Sequence, residues 1–227
     1  MELPKNDVKT VIFDLDGTLA DTSADLIAAA NACFAADGHG ALLDEITDAQ
    51  TAFRGGRAML RLGYSRVGLS DESFVDAQYQ PFLEYYADKI DEKTKLYPGV
   101  LDALGELEQD GYALGVCTNK PSGLAEDLLR KLGVRDMFGS MIGADTLPVR
   151  KPDPKPYFEA VSRAGGDPAQ SILIGDTETD VKTAQAAGVP VVLVGFGPEG
   201  TGIARLVPDA LLMGYDQLGK VVRALIG

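Results

Sequence analysis

Four places in this chain of 227 residues gather groups able to handle a charged oxyanion and a hard cation. Asp14-Leu15-Asp16-Gly17-Thr18 sets two carboxylates two positions apart with a glycine directly behind them. Thr118-Asn119 offers a hydroxyl and an amide. Arg150-Lys151-Pro152-Asp153-Pro154 puts a lysine just before a helix-start signal. Gly175-Asp176 is followed four residues on by Asp180. Carboxylates brought together repel one another, and a few-carboxylate, all-oxygen site suits Mg²⁺. Thr118 and Asn119 suit phosphate oxygens, with Asn119 set near a positive helix end. Gly17 permits the sharp turn that would bring the Asp16 carbonyl back towards such an ion. The net charge is −13, so a bound phosphate needs a local island of positive charge, which the metal and Lys151 would supply.

These groups must be placed by something, and the hydrophobic pattern says what. Near-continuous apolar runs at Val8–Phe13, Ala113–Cys117, Ser140–Gly143, Ser171–Gly175 and Val189–Val194 read as strands of a parallel sheet covered on both faces. Helical patterns lie between them. Val100, Leu101, Leu104 and Leu107 share a face before Gly111, and Leu124, Leu128, Leu129 and Leu132 do so before Gly133. Asp153-Pro154 opens Lys155–Ala164, and Val181, Ala184 and Ala187 form a narrow stripe closed by Gly188. This alternation predicts a doubly wound α/β core, in which ligands bind beyond the carboxyl ends of the strands. The candidate residues all fall at such ends or in the loops that follow them.

From 21 to 96 the rhythm changes to helical periodicity without a convincing strand. Thr22 and Asp25 read as a capping box ahead of Leu26, Ile27, Ala30, Cys33 and Phe34. A second helical stretch starts near Asp71, with Pro81 expected to kink or split it. Tyr97-Pro98-Gly99 returns the chain to the α/β pattern. The expected organisation is a core of 1–20 and 97–227 with an α-helical insert at 21–96. Met59, Tyr85 and Tyr86 read as core of that insert.

Composition excludes several classes. Hydrophobic residues make up 45% and charged residues 24%, which is ordinary globular usage. No apolar run has the roughly 18–20 residues of a membrane span, and the N-terminus lacks a signal-peptide core, so a cytoplasmic protein is expected. The acidic field disfavours nucleic acid and anionic membranes as partners. Cys33 and Cys117 are too few for a disulfide framework, and His39 reads as a surface residue, so no histidine base is expected. Gly195-Phe196-Gly197-Pro198-Glu199-Gly200 fits a dinucleotide-loop pattern, but Pro198 removes a donor and the strand before it is the last of the set, so it reads as a plain loop.

Any one of the four loaded strand ends also suits an ordinary acidic end, helix cap or surface lysine; the four in order do not. Together, Phe13-Asp14-Leu15-Asp16-Gly17-Thr18-Leu19, Thr118, Lys151 and Gly175-Asp176…Asp180 resemble the four motifs of the haloacid dehalogenase superfamily. Asp-Leu-Asp-Gly-Thr-Leu-Ala-Asp-Thr, Cys-Thr-Asn-Lys-Pro and Arg-Lys-Pro-Asp-Pro look most like its phosphoglycolate phosphatase branch. The resemblance implies a Rossmann-like core with an inserted cap and a Mg²⁺-dependent phosphatase for a small phosphorylated metabolite, with 2-phosphoglycolate expected. Asp14 would be the nucleophile, forming an aspartyl-phosphate, and Asp16 the acid and base. Mg²⁺ would be held by Asp14, the Asp16 carbonyl and Asp176, with Asp180 completing and orienting that set. Thr118, Asn119 and Lys151 would hold the phosphoryl group. The alternatives are a phosphosugar mutase, whose usual cap-helix histidine is missing from Thr22–Phe34, or a phosphatase for a sugar phosphate, nucleotide or pyrophosphate. A monomer or homodimer is expected. For recognition of the rest of the substrate, Arg54-Gly55-Gly56-Arg57 stands out, because arginine meets carboxylates bidentately.

Overall fold

A computed structural model describes residues 8–227. The chain runs β1 (Thr10–Phe13), β2 (Ala20–Asp21), α1 (Ser23–Ala36), α2 (Ala49–Ala52), α3 (Gly56–Arg66), α4 (Glu72–Asp88) and β3 (Lys95–Leu96). It continues through α5 (Val100–Gln109), β4 (Ala113–Cys117), α6 (Ser122–Lys131), β5 (Ser140–Ile142), α7 (Lys155–Ala164), β6 (Ser171–Gly175), α8 (Glu178–Ala187), β7 (Val191–Val194), β8 (Ala210–Leu212) and α9 (Leu218–Ile226). It divides into two compact units, Met1–Ala20 with Leu96–Gly227, and Asp21–Lys95.

The first unit is built on a six-stranded sheet in the order β5-β4-β1-β6-β7-β8, with every neighbouring pair parallel. Counting only these strands in chain order, that is 3-2-1-4-5-6, the doubly wound arrangement whose direction of winding reverses beside the first strand. Alternate strand residues serve opposite faces. Ile12, Leu173 and Leu193 pack with Tyr157, Ala160 and Val161 of α7 and Val181 and Ala184 of α8 in one buried layer. Helices α5 and α9, which contact each other, lie against β4 and β6. Parallel strands need both faces covered because each is apolar along its whole length. All four residues of β1 are buried, and so are all five of β6.

Two details differ from the sequence reading. A sixth strand, Ala210–Leu212, closes the sheet edge beside β7. Leu101 is 52% exposed, and Ala103 takes its place beside Val100, Leu104 and Leu107. The α7 start is as expected in substance: Asp153 Oδ1 accepts the Lys155 N–H at 2.9 Å, and Gly165 ends the helix in the left-handed region at φ +89°.

The second unit is helical. Gly63 on α3 lets the Phe34 ring of α1 approach so closely that a Cβ there would lie 2.1 Å from Cζ. Helix α4 runs unbroken past Pro81, because Val75, Phe82 and Tyr86 are buried on either side of it and packing outweighs the lost hydrogen bond. Tyr86 and Met59 are core, but Tyr85, one position round the helix, is 39% exposed. The Thr22/Asp25 capping box does not form. Asp21 caps α1 instead, accepting the Ser23 N–H and hydroxyl at 3.1 and 2.6 Å. Asp25 accepts the Lys93 and Thr94 N–H groups and the Thr94 hydroxyl, all within 3.0 Å, which ties the returning chain to α1. The box pattern found a real pair of polar residues but not their partners.

Candidate active site

The site of the α/β unit lies at the carboxyl ends of β1, β4 and β6, at the point where the winding reverses. Register puts it there: Phe13 pairs with Val116 on one side and Ile174 on the other, so the residues that follow each strand emerge together. Asp14 extends the ladder by one bond, its N–H donating to the Ile174 carbonyl at 2.9 Å. The chain then folds back tightly. Leu15 O accepts from the N–H groups of Thr18, Leu19 and Ala20, Gly17 N donates to Ala20 O, and Gly17 sits at φ +81°, where glycine is at no disadvantage. Among the described residues no backbone N–H donates to the Asp16 carbonyl, so it is free to face a ligand.

Lys151 is the electrostatic centre. Its Nζ lies 2.7 Å from Asp180 Oδ1 and 3.1 Å from Asp14 Oδ2, with its side chain 1% exposed. Burial alone would lower the ammonium's pKa, but the charges of Asp14 and Asp180 outweigh it and hold it above the ordinary range. Asp180 is wholly buried and saturated: its second oxygen accepts the Thr177 hydroxyl at 2.7 Å and the N–H groups of Thr177 and Asp176. That geometry suits a group that fixes Lys151 and the Asp176 backbone better than one that binds a ligand directly. Gly175 leaves room for it, since a Cβ there would stand 2.4 Å from Asp180 Cγ.

Asp14, Asp176 and Asp180 offer carboxylate oxygens within 4.8 Å of one another. Three carboxylates against one ammonium leave excess negative charge. Burial raises the Asp14 carboxyl to about 6, with Asp180 and Asp16 adding to the rise against Lys151. Asp176 is raised as well, by desolvation first and then by Asp14 and Asp180, although part of it reaches solvent. Oxygen donors carrying unrelieved charge fit a hard divalent cation, and Mg²⁺ among them.

Thr118 is buried at the end of β4, its hydroxyl accepting the Lys120 N–H at 3.2 Å. The exposed Asn119 donates its side-chain amide to the Lys151 carbonyl at 3.0 Å, so part of its capacity serves to hold the lysine loop. The sequence reading did not single out Lys120. Its Nζ grips both oxygens of Asp16, at 2.8 and 3.1 Å, with its side chain 3% exposed. It stands two residues past Thr118 in an acidic chain that needs local cations, which was the available signal. Thr18, also not singled out, donates its hydroxyl to Asp176 Oδ1 at 3.1 Å.

Within the helical unit, Arg57 pairs with Asp76 at 2.6 Å and lies over the Tyr79 ring, 4.7 Å from its centroid. Arg54 is exposed and has no ion-pair partner among the described residues.

Residues 11–194 match the family described as haloacid dehalogenase-like hydrolase, a span that runs from β1 through β7. The chain belongs to the haloacid dehalogenase-like hydrolase family. Among its relatives, the phosphoglycolate phosphatase of Mesorhizobium japonicum is 38% identical over 209 residues, covering 92% of each chain. That of Rhodospirillum rubrum is 39% identical over 216 residues, covering 93% of this chain and 89% of the relative. The crystal structure of a predicted phosphoglycolate phosphatase from Haemophilus somnus has a TM-score of 0.83 to this chain at 27% identity, covering 94% of this chain and 97% of its own. As a member of this family the chain is a hydrolase with an α/β core, and the Gly195–Gly200 loop leads into a short 3₁₀ helix, Gly200–Leu206, rather than the α-helix a dinucleotide loop requires.

Proposed function

We propose that this hydrolase is a Mg²⁺-dependent phosphatase that converts 2-phosphoglycolate to glycolate and phosphate through an aspartyl-phosphate on Asp14. The observation that carries the phosphatase reading is the contact of Lys151 with both Asp14 and Asp180 beside Asp176, which joins a nucleophile, a cation and an oxygen donor set at one point. The choice of substrate rests on the relatives' activity and on the length over which they match.

In this reading the Asp14 and Asp176 carboxylates and the Asp16 carbonyl hold Mg²⁺, and Asp180 orients the set. When bound, the ion neutralises charge on the phosphoryl oxygens. Asp14 attacks phosphorus, the ester P–O bond breaks, and the departing glycolate oxygen takes a proton from Asp16. Water then attacks phosphorus and gives a proton to Asp16, the acyl-phosphate bond breaks, and Asp14 is restored as phosphate departs. Lys151, Thr118 and Asn119 hold the phosphoryl oxygens throughout. Asp16 must release one oxygen from Lys120 to carry its proton. The helical unit serves as a cap that reads the rest of the substrate, with Arg54 as the residue offered to the carboxylate. The same reading sets the enzyme in the cytoplasm, in keeping with two free buried thiols, Cys33 and Cys117.

Phosphate release from a panel of small phosphate esters, with Mg²⁺ and then with EDTA, tests this. The expected result is fastest turnover of 2-phosphoglycolate, reversible loss in EDTA, and no turnover by Asp14→Asn. Full activity in EDTA or in Asp14→Asn overturns the mechanism. Preference for a sugar phosphate overturns the substrate.

A further inference from the structure

The loop after β1 carries both aspartates and is fastened from behind by a residue far along the chain. Tyr215 is 2% exposed and donates its hydroxyl to the Thr18 carbonyl at 2.7 Å. Thr18 is wholly buried and donates in turn to Asp176 Oδ1 at 3.1 Å. The Tyr215 ring is held by neighbours from other elements. Phe196, in the glycine-rich loop after β7, lies 5.6 Å from it, and Tyr97 lies 4.8 Å from Phe196. Tyr97 is itself tied to the same turn, its N–H donating to the Leu19 carbonyl at 3.0 Å. Gly99 also stands close, where a Cβ would lie 3.3 Å from that of Tyr215. Two separated segments therefore converge on Thr18 and Leu19, with Phe196 of a third packed between their rings, and what Thr18 touches is Asp176.

We infer that Tyr215 is a positioning residue for the cation site: by fixing the Thr18 backbone it aims the Thr18 hydroxyl, which sets the rotation of the Asp176 carboxylate, and Phe196 braces the ring. This rests on Asp176 being a Mg²⁺ ligand, as proposed above. The physical ground is that one oxygen of Asp176 is engaged by Thr18, which fixes where the other points; groups that orient a ligand in this way govern affinity strongly. A phenol that only filled space would not need its hydroxyl. Here the hydroxyl satisfies a buried carbonyl to which, among the described residues, no backbone N–H donates. The arrangement also gives the Gly195–Gly200 loop a task without any nucleotide: it delivers Phe196.

The test is calorimetric titration of Mg²⁺ into the full chain without substrate, for wild type, Tyr215→Phe, Thr18→Val and the double variant. Tyr215→Phe is expected to weaken Mg²⁺ binding about 10-fold, and its turnover loss at low Mg²⁺ is expected to be repaired by raising Mg²⁺. Because both act through one hydroxyl, the double variant should bind no more weakly than Thr18→Val alone. Phe196→Leu, which keeps every hydrogen bond, should weaken binding by a smaller factor and supplies the measurement if Tyr215→Phe fails to fold. Wild-type affinity in the soluble Tyr215→Phe protein, or additive losses in the double variant, overturns this inference alone. No Mg²⁺ uptake by wild type overturns the metal reading and this inference with it.

Discussion

Asp16 and Arg57 make the same kind of contact with opposite meaning. Asp16 is held by Lys120 where the lysine side chain is 3% exposed and sits beside the reacting groups. Arg57 is held by Asp76 in the open, at 38% and 64% side-chain exposure, where an ion pair contributes little. A partner in hand still matters for recognition, because Arg57 would have to leave both Asp76 and the Tyr79 ring to meet a substrate carboxylate, whereas Arg54 has no ion pair to leave among the described residues. Arg54→Ala is therefore expected to raise KM for 2-phosphoglycolate, with a loss in kcat/KM of roughly 10- to 150-fold, the worth of one charged hydrogen-bonded contact. Hydrolysis of p-nitrophenyl phosphate, which has no carboxylate, should barely change, and Arg57→Ala should fall between wild type and Arg54→Ala. Steady-state kinetics on both esters decide it: equal effects on the two substrates would remove Arg54 from recognition. At this scale the sequence displayed the acidic residues and Lys151 but not Lys120. Asp14 and Asp176 are displayed at strand ends by a pattern anyone can count. Lys120 looks like a loop lysine until its burial is known, and nothing in one sequence states burial.

Elements place these residues by sterics as much as by hydrogen bonds. The Thr118–Lys120 loop leads into α6, and the start of that helix presses on Gly143 at the end of β5. A Cβ on Gly143 would lie 2.6 Å from both N and Cα of Ser122 and 2.9 Å from the Lys120 carbonyl. All three are backbone atoms, so no rotamer change relieves the clash. Gly143→Ala is expected to shift the loop and cost about 1–3 kcal/mol, which lowers the melting temperature by roughly 2–12 °C. It should also reduce kcat/KM for every phosphate ester alike, because in the proposed mechanism the loop holds the phosphoryl group. Gly105, inside α5 with open space around its would-be Cβ, is the control: Gly105→Ala should be fully active and more stable by about 0.5–1 kcal/mol. Thermal melts and kinetics on the two variants check this, and a Gly143→Ala protein as stable and active as wild type would show that the contact yields. Elements longer than four residues and fully apolar were legible beforehand: β4 and β6 fall where the apolar runs put them. The three-residue β8 was not read, since its short apolar run, Ala210-Leu211-Leu212-Met213, carries no periodicity and two of the three strand residues are only half buried. Tyr215 was hidden with it, because its importance depends on β8 returning the chain towards Thr18.

For the whole molecule the governing fact is that an acidic chain, at −13, gathers the buried or half-buried carboxylates of Asp14, Asp176 and Asp180 where the proposed reaction must also bind an anion. The helical periodicity of 21–96 and the α/β rhythm around it could be read because they repeat over many residues, whereas this conflict of charge is a property of the folded site. It has a measurable cost. Asp14 has a folded pKa of about 6 against an ordinary 3.8, and Asp176 is raised in the same direction. A carboxyl whose folded pKa lies above its unfolded one contributes stability that is complete below pH 3.8 and is lost as pH rises through about 6. Without a divalent cation, then, Asp14 weakens the fold as pH rises through about 6 and Asp176 acts in the same direction, against the opposite trend of Asp48 and Asp145, whose carboxyls are held low by Arg66 and by the Ser122 N–H. Comparing variants isolates the effect. In EDTA at pH 7.5, Asp176→Asn should melt above wild type, and the gap should narrow as pH falls and the raised Asp176 carboxyl of wild type takes up its proton. Adding Mg²⁺ at about 100 times its dissociation constant should stabilise wild type by about 2.7 kcal/mol, or roughly 5–10 °C, at pH 7.5. It should do much less at pH 4.5, where protons compete for the same oxygens, and little for Asp176→Asn at either pH. Scanning calorimetry of both proteins across pH, with and without Mg²⁺, reads all of this directly. An Asp176→Asn protein that melts below wild type at pH 7.5 in EDTA would mean that Lys151 and Thr18 already satisfy the site, and that its charge asks for no cation.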